Sequence, residues 1–226
     1  MSDGIGGLTL YDLDHSPFAA RVRIAVRAKG LDVALVPPPG GARSEAYRRI
    51  NPLGLVPTLV TEDGTALPES DVIVEYLDER FPERRLVPAD AGPRARCRLI
   101  IRVADFYLAP ALKALFEHTK GPAEPAAGDI LVGNVRDYLA AIEGLVGDWG
   151  FAVGNSLSAA DCALAPLLFF AERCATLAPE APLFGRRLGA YWAAIRTHPS
   201  VAPVLEEMAA SQVRRAAARA RGEPED

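Results

Sequence analysis

Three short segments of this 226-residue chain carry groups that can bind anions or peptides. In the first, Ser16 precedes Pro17 at the start of a helical pattern. Serine before proline is a favoured helix start, because the hydroxyl caps a free N–H and proline has no N–H to lose. A hydroxyl at this positive end of a helix also stabilises an anion. The residues alone leave open whether Ser16 is a binding group or only a cap.

The second segment is Glu69-Ser70, at the start of an amphipathic helical pattern. The Ser70 hydroxyl and the free N–H groups of a first helical turn suit a carboxylate, and Glu69 suits an ammonium group. The alternative is an ordinary helix cap. The third segment, Val56-Pro57, stands between a glycine-containing turn and a predicted strand, and by itself indicates a turn.

Composition and charge exclude several classes of protein. Hydrophobic residues make up 50% of the chain, charged residues 24%, and the net charge is −4. A nucleic-acid partner is not expected, because phosphate binding requires a basic face. Three irregularly spaced cysteines predict neither a disulfide framework nor a zinc site, and no metal is expected. They are interpreted as buried free thiols: Cys97, Cys162 and Cys174.

Neither a leader nor a membrane span is expected. Residues 1–7 lack the basic and apolar regions of a signal peptide. The longest apolar stretch, residues 159–171, contains Asp161 and is too short to cross a bilayer. The expected location is cytoplasmic.

The elements around the three segments predict a β-α-β-(α)-β-β-α order in the first half. A strand, a helix and a strand within about thirty residues form a βαβ unit with parallel strands. Predicted strands are 8–11, 32–36, 57–61 and 65–67, and predicted helices are 16–29, 43–50 and 69–80. In the first helix, the pattern buries Val22, Ile24, Ala25 and Ala28, with Arg21, Arg23, Arg27 and Lys29 between them.

The composition changes to all-helical after a linker at residues 86–93. Predicted helices are 94–118, 127–149 with a weak point at Gly133, 158–175, 183–196 and 201–218. Ser158 and Asp161 form a capping box with a role in folding. The prediction is an α/β domain at residues 1–87 followed by an all-α domain at 88–226.

Four motifs in this order resemble the cytosolic glutathione transferase superfamily, in particular its bacterial serine-type, zeta-like or theta-like members. They are SPFAARVRIA at 16–25, NPLGLVPTL at 51–59, LPES at 67–70 and VGNSLSAAD at 153–161. The resemblance covers nearly the whole chain. It implies a thioredoxin-like first domain, a helical second domain and a homodimer.

The resemblance also implies roles for the candidate residues, with glutathione as substrate or cofactor. Ser16 would stabilise the thiolate without attacking, since the thiolate is the nucleophile. A cis Val56-Pro57 bond would present the Val56 backbone to the peptide, and Glu69 with Ser70 would hold the γ-glutamyl end. Phe18 is a further implied glutathione contact. Tyr11, at the end of the first strand, is the competing thiolate donor, although a core aromatic is the favoured interpretation.

Three functions compete. The first is transfer of glutathione to a small apolar electrophile, expected to bind near Phe106, Tyr107 and Ala111, which could equally be core or dimer contacts. The second is glutathione-dependent cis–trans isomerisation of a maleyl acid, where Pro17-Phe18 replace the usual serine-cysteine pair. The third is a non-catalytic binding module of the starvation-protein or elongation-factor type, against which Ser16, Glu69 and Ser70 argue. His15 is expected in the cleft or on an exposed loop.

Overall fold

A computed structural model describes residues 7–119, 121, 124–148, 150–174 and 182–222. The strands are β1 (Leu8–Tyr11), β2 (Val33–Val36), β3 (Thr58–Val60) and β4 (Ala66–Pro68). The helices are α1 (Pro17–Lys29), α2 (Glu45–Arg48), α3 (Ser70–Arg80), α4 (Ala91–Val103), α5 (Ala109–His118), α6 (Pro125–Leu145), α7 (Ala159–Cys174), α8 (Arg186–Ile195) and α9 (Ala202–Ala220).

The four strands form one mixed sheet in the order β2-β1-β3-β4. β1 is parallel to β2 and antiparallel to β3, and β3 is antiparallel to β4. Leu10 and Leu59 are fully buried in the sheet, and α1 packs against α3. The predicted thioredoxin-like arrangement is confirmed.

Helix α1 begins and ends where the sequence predicts, but its charged residues are not where the sequence places them. It ends at Gly30, whose φ of 67° is left-handed and suits glycine. Arg21, Arg23 and Lys29 are buried, whereas Arg27 is exposed. The predicted separation of buried apolar residues from the charged residues between them is therefore wrong for Arg21, Arg23 and Lys29 and holds for Arg27.

Burial of Lys29 has a specific cause. Its ammonium group lies 2.9 Å from the carboxylate of Asp78 in α3 and donates at 2.8 Å to the carbonyls of Phe81 and Arg84. A buried charge is tolerated when it is paired and hydrogen-bonded in this way. The partners lie about fifty residues further along the chain, so helical periodicity cannot reveal them.

Residues 86–201 form a helical unit that departs from the predicted elements in three places. Helix α4 begins at Ala91, within the predicted linker at 86–93. The predicted single helix at 94–118 is α4 and α5 joined by a π-helical turn at Ala104–Leu108. Helix α6 runs through Gly133 without a break. Cys97 and Cys162 are buried and neither belongs to a disulfide within the described residues, as predicted, while the Cys174 side chain lies outside the described residues.

The contacts of the described chain divide it into two units, residues 7–85 with 202–222 and residues 86–201. Helix α9 packs against α1 and belongs to the first unit. The sequence assigned the α9 residues to the second domain, and the two-domain division at residue 87 stays a prediction. Across the described ranges, none of the helices has the length and apolarity needed to cross a membrane.

Candidate active site

The sheet register brings the three predicted segments to one edge. Tyr11 of β1 pairs with Thr58 of β3, and Thr58 pairs with Pro68 of β4. Because β3 runs opposite to its two neighbours, the chain leaving β1, the chain entering β3 and the chain leaving β4 lie at the same edge. The segments that carry Ser16, Val56-Pro57 and Glu69-Ser70 are these three connections.

Ser16 is a buried residue that caps helix α1. Its backbone is extended, and its Oγ accepts a hydrogen bond from the Ala19 N–H at 3.3 Å, with Pro17 at the first helical position. That bond uses the hydroxyl oxygen as an acceptor, so the O–H can still donate to an anion. Capping and anion binding are therefore compatible functions of the same hydroxyl.

The two aromatic candidates near Ser16 differ in position. Tyr11 is half-buried and packs on Tyr47, with ring centroids 5.5 Å apart. The aromatic contact agrees with the favoured packing interpretation, although Tyr11 is not fully in the core. Phe18, in the first turn of α1, is exposed, with the Arg21 guanidinium 5.8 Å from its ring centroid.

The Val56-Pro57 peptide bond is cis, as the resemblance implied. Within the described part of the chain, neither the amide nor the carbonyl of Val56 takes part in a backbone hydrogen bond. Val56 is only half-buried, so its backbone groups are available to an extended peptide.

A network of three buried polar residues holds the loop in front of Pro57. The Asn51 amide donates to the Leu55 carbonyl at 2.7 Å and to Thr58 Oγ1 at 2.9 Å. The Tyr47 hydroxyl lies 2.7 Å from Thr58 Oγ1 and 3.0 Å from the Leu55 carbonyl. The network fixes the chain on both sides of Val56.

Glu69 has a backbone conformation that is unusual for its residue type. Its φ of 70° and ψ of 112° lie in a region that side chains rarely adopt. Glu69 precedes α3 but makes no side-chain capping bond, and the buried Ser70 is the first helical residue. Strained backbone of this kind concentrates at ligand sites. The Glu69 side chain therefore does not act as an ordinary helix cap.

A charged cluster that the sequence did not predict surrounds the segment before Ser16. Ser211 Oγ of α9 donates to Asp14 Oδ1 at 2.5 Å, and Arg214 of α9 pairs with Asp14 Oδ2. Partial burial opposes ionisation, but the Ser211 hydrogen bond and the Arg214 charge hold the pKa of Asp14 below its ordinary value. Burial lowers the pKa of the neighbouring His15, and the charge of Arg215 lowers it further.

Two kinds of residue were missed by the sequence analysis. Asn51 stands inside one of the four motifs, so a buried amide before the turn was a usable signal. Asp14, Ser211 and Arg214 carry no such signal, because 197 residues separate Asp14 from Ser211.

Comparison with known proteins gives a consistent result. Residues 10–85 match the glutathione S-transferase N-terminal domain, and residues 125–207 match the glutathione S-transferase C-terminal domain. A maleylacetoacetate isomerase of Pseudomonas aeruginosa is 36% identical over 174 residues, which cover 74% of this chain and 82% of that protein. A stringent starvation protein A homologue of Coxiella burnetii is 31% identical over 166 residues, covering 72% and 75%.

Among solved structures, a glutathione S-transferase of Methylobacillus flagellatus with GSH bound is similar, with a TM-score of 0.71 and 26% identity. The match covers 88% of this chain and 98% of that one. The two family matches in the sequence and the match of the structure therefore indicate the same family. The chain belongs to the glutathione S-transferase superfamily.

Proposed function

We propose that this protein is a glutathione transferase that activates the glutathione thiol for attack on a small apolar electrophile. The observation that carries the proposal is that Ser16, the Val56 backbone and Glu69-Ser70 stand on three connections at one sheet edge. Ser16 suits a thiolate, and the Val56 backbone suits a peptide backbone. Glu69-Ser70 suits the end of an amino acid that carries both a carboxylate and an ammonium group. Glutathione combines these three groups in one extended molecule.

Ser16 donates its O–H to the sulfur while its Oγ keeps the bond from Ala19. The N-terminus of α1 adds its positive dipole, so the charged form of the thiol is favoured near neutral pH. A free thiol of this kind has a pKa of about 8.5. Ser16 stabilises the anion and does not itself attack.

The other two segments bind glutathione and orient it. The Val56 N–H and C=O pair with the peptide as an added strand would, beside Phe18. The Ser70 hydroxyl and the first N–H groups of α3 hold the carboxylate, and Glu69 holds the ammonium group.

Thiolate absorbance of the glutathione complex, titrated against pH, tests this assignment. Ser16→Ala should raise the pKa of the bound thiol and lower turnover near neutral pH, at about 1.4 kcal/mol for each pKa unit. Glutathione affinity should change little, because the other two segments remain. Tyr11→Phe is the control and should do much less. A shift with Tyr11→Phe but not with Ser16→Ala would assign the donor to Tyr11.

A second candidate is glutathione-dependent isomerisation of a maleyl acid. The similarity to the Pseudomonas aeruginosa maleylacetoacetate isomerase favours it, whereas Pro17-Phe18 at the start of α1 disfavours it. A non-catalytic role has support in the Coxiella burnetii starvation protein homologue. Turnover of an activated aryl halide would indicate the transferase, and turnover of maleylacetone would indicate the isomerase. Turnover of neither compound would indicate the non-catalytic role.

The proposal includes a cytoplasmic homodimer that acts in detoxification. Phe106 and Tyr107 expose 62% and 54% of their surface, so neither is a core residue. Both therefore remain candidates for a substrate or dimer contact. Light scattering at micromolar concentration should give twice the chain mass of 24.1 kDa. A particle of single-chain mass would remove the dimer from the proposal.

A further inference from the structure

The five-residue segment Asp12–Ser16, here the Ser16 loop, is held by the last helix of the chain. The Ser211 hydroxyl of α9 donates to Asp14 Oδ1 at 2.5 Å, and the Arg214 guanidinium pairs with Asp14 Oδ2. Ser211 is buried, so its hydroxyl is directed into the protein rather than to solvent. Both oxygens of one short carboxylate are thus occupied by α9.

A second anchor holds the backbone at the same residue. Arg23 of α1, only 3% exposed, donates to the Asp14 carbonyl at 2.8 Å. The same guanidinium lies 3.4 Å from Asp12 and 3.3 Å from Glu207 of α9. Glu207 also pairs with Arg27. Helix α1 therefore holds the Ser16 loop at the Asp14 backbone and the Asp12 side chain, and α9 holds it at the Asp14 side chain.

The anchors are close to Ser16 in the chain. The Ser16 N–H donates to the Leu13 carbonyl at 2.9 Å, which closes a tight turn around Asp14. A displacement of Asp14 must move this turn and with it the Ser16 hydroxyl. Misplacement of a reacting contact by about 1 Å can cost roughly a hundredfold in rate.

The contact between Asp14 and Arg214 is poorly suited to a role in stability. Side-chain exposures of 40% for Asp14 and 63% for Arg214 place the pair near solvent, where an ion pair contributes little free energy. One donor on each oxygen of the Asp14 carboxylate does, however, fix the orientation of that side chain.

We propose that Ser211 and Arg214 are positioning residues that hold the Ser16 hydroxyl in place for thiolate activation through Asp14. The assignment rests on the proposed role of Ser16. Other charged groups lie in the same loop, namely Asp12 and His15, or beside it, namely Arg23, Glu207 and Arg215. The test must therefore separate a change of position from a change of charge.

Four variants make that separation. Ser211→Ala removes a hydrogen bond to Asp14 and leaves the net charge unchanged. Arg214→Ala removes both a hydrogen bond and a positive charge, whereas Arg214→Lys keeps the positive charge. Arg187→Ala is the control, because it breaks an exposed 3.0 Å ion pair with Asp148 in the other unit. For each variant the bound-thiol pKa, the glutathione Kd and kcat with an activated aryl halide are measured.

Ser211→Ala and Arg214→Ala should raise the bound-thiol pKa and lower kcat near neutral pH by roughly three- to tenfold. Glutathione Kd should stay nearly unchanged, since Val56 and Ser70 are on other connections. Arg214→Lys should recover part of the loss, and Arg187→Ala should change nothing. Unchanged thiol pKa and kcat in both α9 alanine variants, with or without a loss of stability, would overturn the proposal.

A double-mutant cycle gives the decisive comparison. If α9 acts through Ser16, Ser211→Ala should have no further effect on thiol pKa in a Ser16→Ala protein. An equal shift in both backgrounds would show that α9 acts independently of Ser16, and would overturn the positioning role. If the wild-type protein does not lower the thiol pKa, or Ser16→Ala does not raise it, the proposed role of Ser16 fails first and the positioning role falls with it.

Discussion

The side-chain amide of Asn51 donates to the backbone carbonyl of Leu55 at 2.7 Å, one residue before Val56. Asn51 also receives a bond from the Leu53 N–H at 3.0 Å and is almost completely buried. A single side chain therefore ties together both ends of the loop that presents Val56.

Asn51→Ala should lower the free energy of unfolding by about 2–3 kcal/mol, because buried partners lose their hydrogen bonds. Glutathione affinity should fall as well, since the loop before Val56 loosens. Urea unfolding and calorimetry measure the two effects. Asn134→Ala, at an exposed position of α6, is the control and should change neither.

Glu69→Gly should separate stability from binding. Glycine adopts a positive φ without steric cost, so relief of the strained backbone should raise the free energy of unfolding by about 1 kcal/mol. Loss of the carboxylate should weaken glutathione binding at the same time. Stability and affinity that fall together would contradict this prediction.

Ser70→Ala should weaken glutathione binding by about 1.5–3 kcal/mol, the value of a hydrogen bond to a charged carboxylate. The measurement is calorimetric titration with glutathione. Ser156→Ala, at an exposed position of the other unit, is the matched control. Unchanged affinity in Ser70→Ala would place the γ-glutamyl site elsewhere.

Asp161 organises the start of α7, and its removal should be costly. Its carboxylate accepts from the Ser158 hydroxyl and N–H and the Ala152 N–H, each at 2.7 Å, and from the Tyr191 hydroxyl at 3.0 Å. Asp161→Ala should lower the free energy of unfolding by at least about 3 kcal/mol, and Tyr191→Phe by about 1 kcal/mol. Asp161→Asn should rescue little, because an NH₂ group would face these donors. Urea unfolding checks all three.

The lowered pKa of His15 gives stability a defined pH dependence. The unfolded chain binds a proton near pH 6.5, but the folded chain does so only at lower pH, because burial and Arg215 disfavour the charged ring. Stability should therefore decline as pH falls below about 6.5. His15→Asn should remove this part of the decline in urea unfolding between pH 7.5 and pH 5.5. Parallel declines in the two proteins would contradict the assignment.

Local signals in the sequence were sufficient for most of the sheet and for both ends of α1. Pro17 and Gly30 act on the backbone within a few residues of their own positions, so their effect on α1 can be predicted without the fold. The same holds for Ser158 and Asp161, three residues apart on one helix start.

Contacts between distant parts of the chain could not be predicted in this way. Lys29 is buried because its ammonium group pairs with the Asp78 carboxylate. Asp14 is held by Ser211 of α9, a helix that packs on α1. Helical periodicity contains no information about the partner of Lys29, and it does not apply to Asp14, which lies in the loop before α1. The π-helical turn before α5 does have a local signal, because Pro110 stands in the first turn of α5 and has no N–H to donate to the carbonyl four residues earlier.

The long separation in sequence between the Ser16 loop and α9 sets an order of events during synthesis. Asp14 leaves the ribosome 197 residues before Ser211, which at typical rates of translation is roughly 10–40 seconds. A nascent or truncated chain that stops before α9 already carries Ser16, Pro57 and Ser70, but it lacks the two side chains that hold Asp14. The proposed thiol activation therefore requires synthesis as far as α9, and a chain terminated before Ser211 contains the three candidate segments without the contacts that hold Asp14.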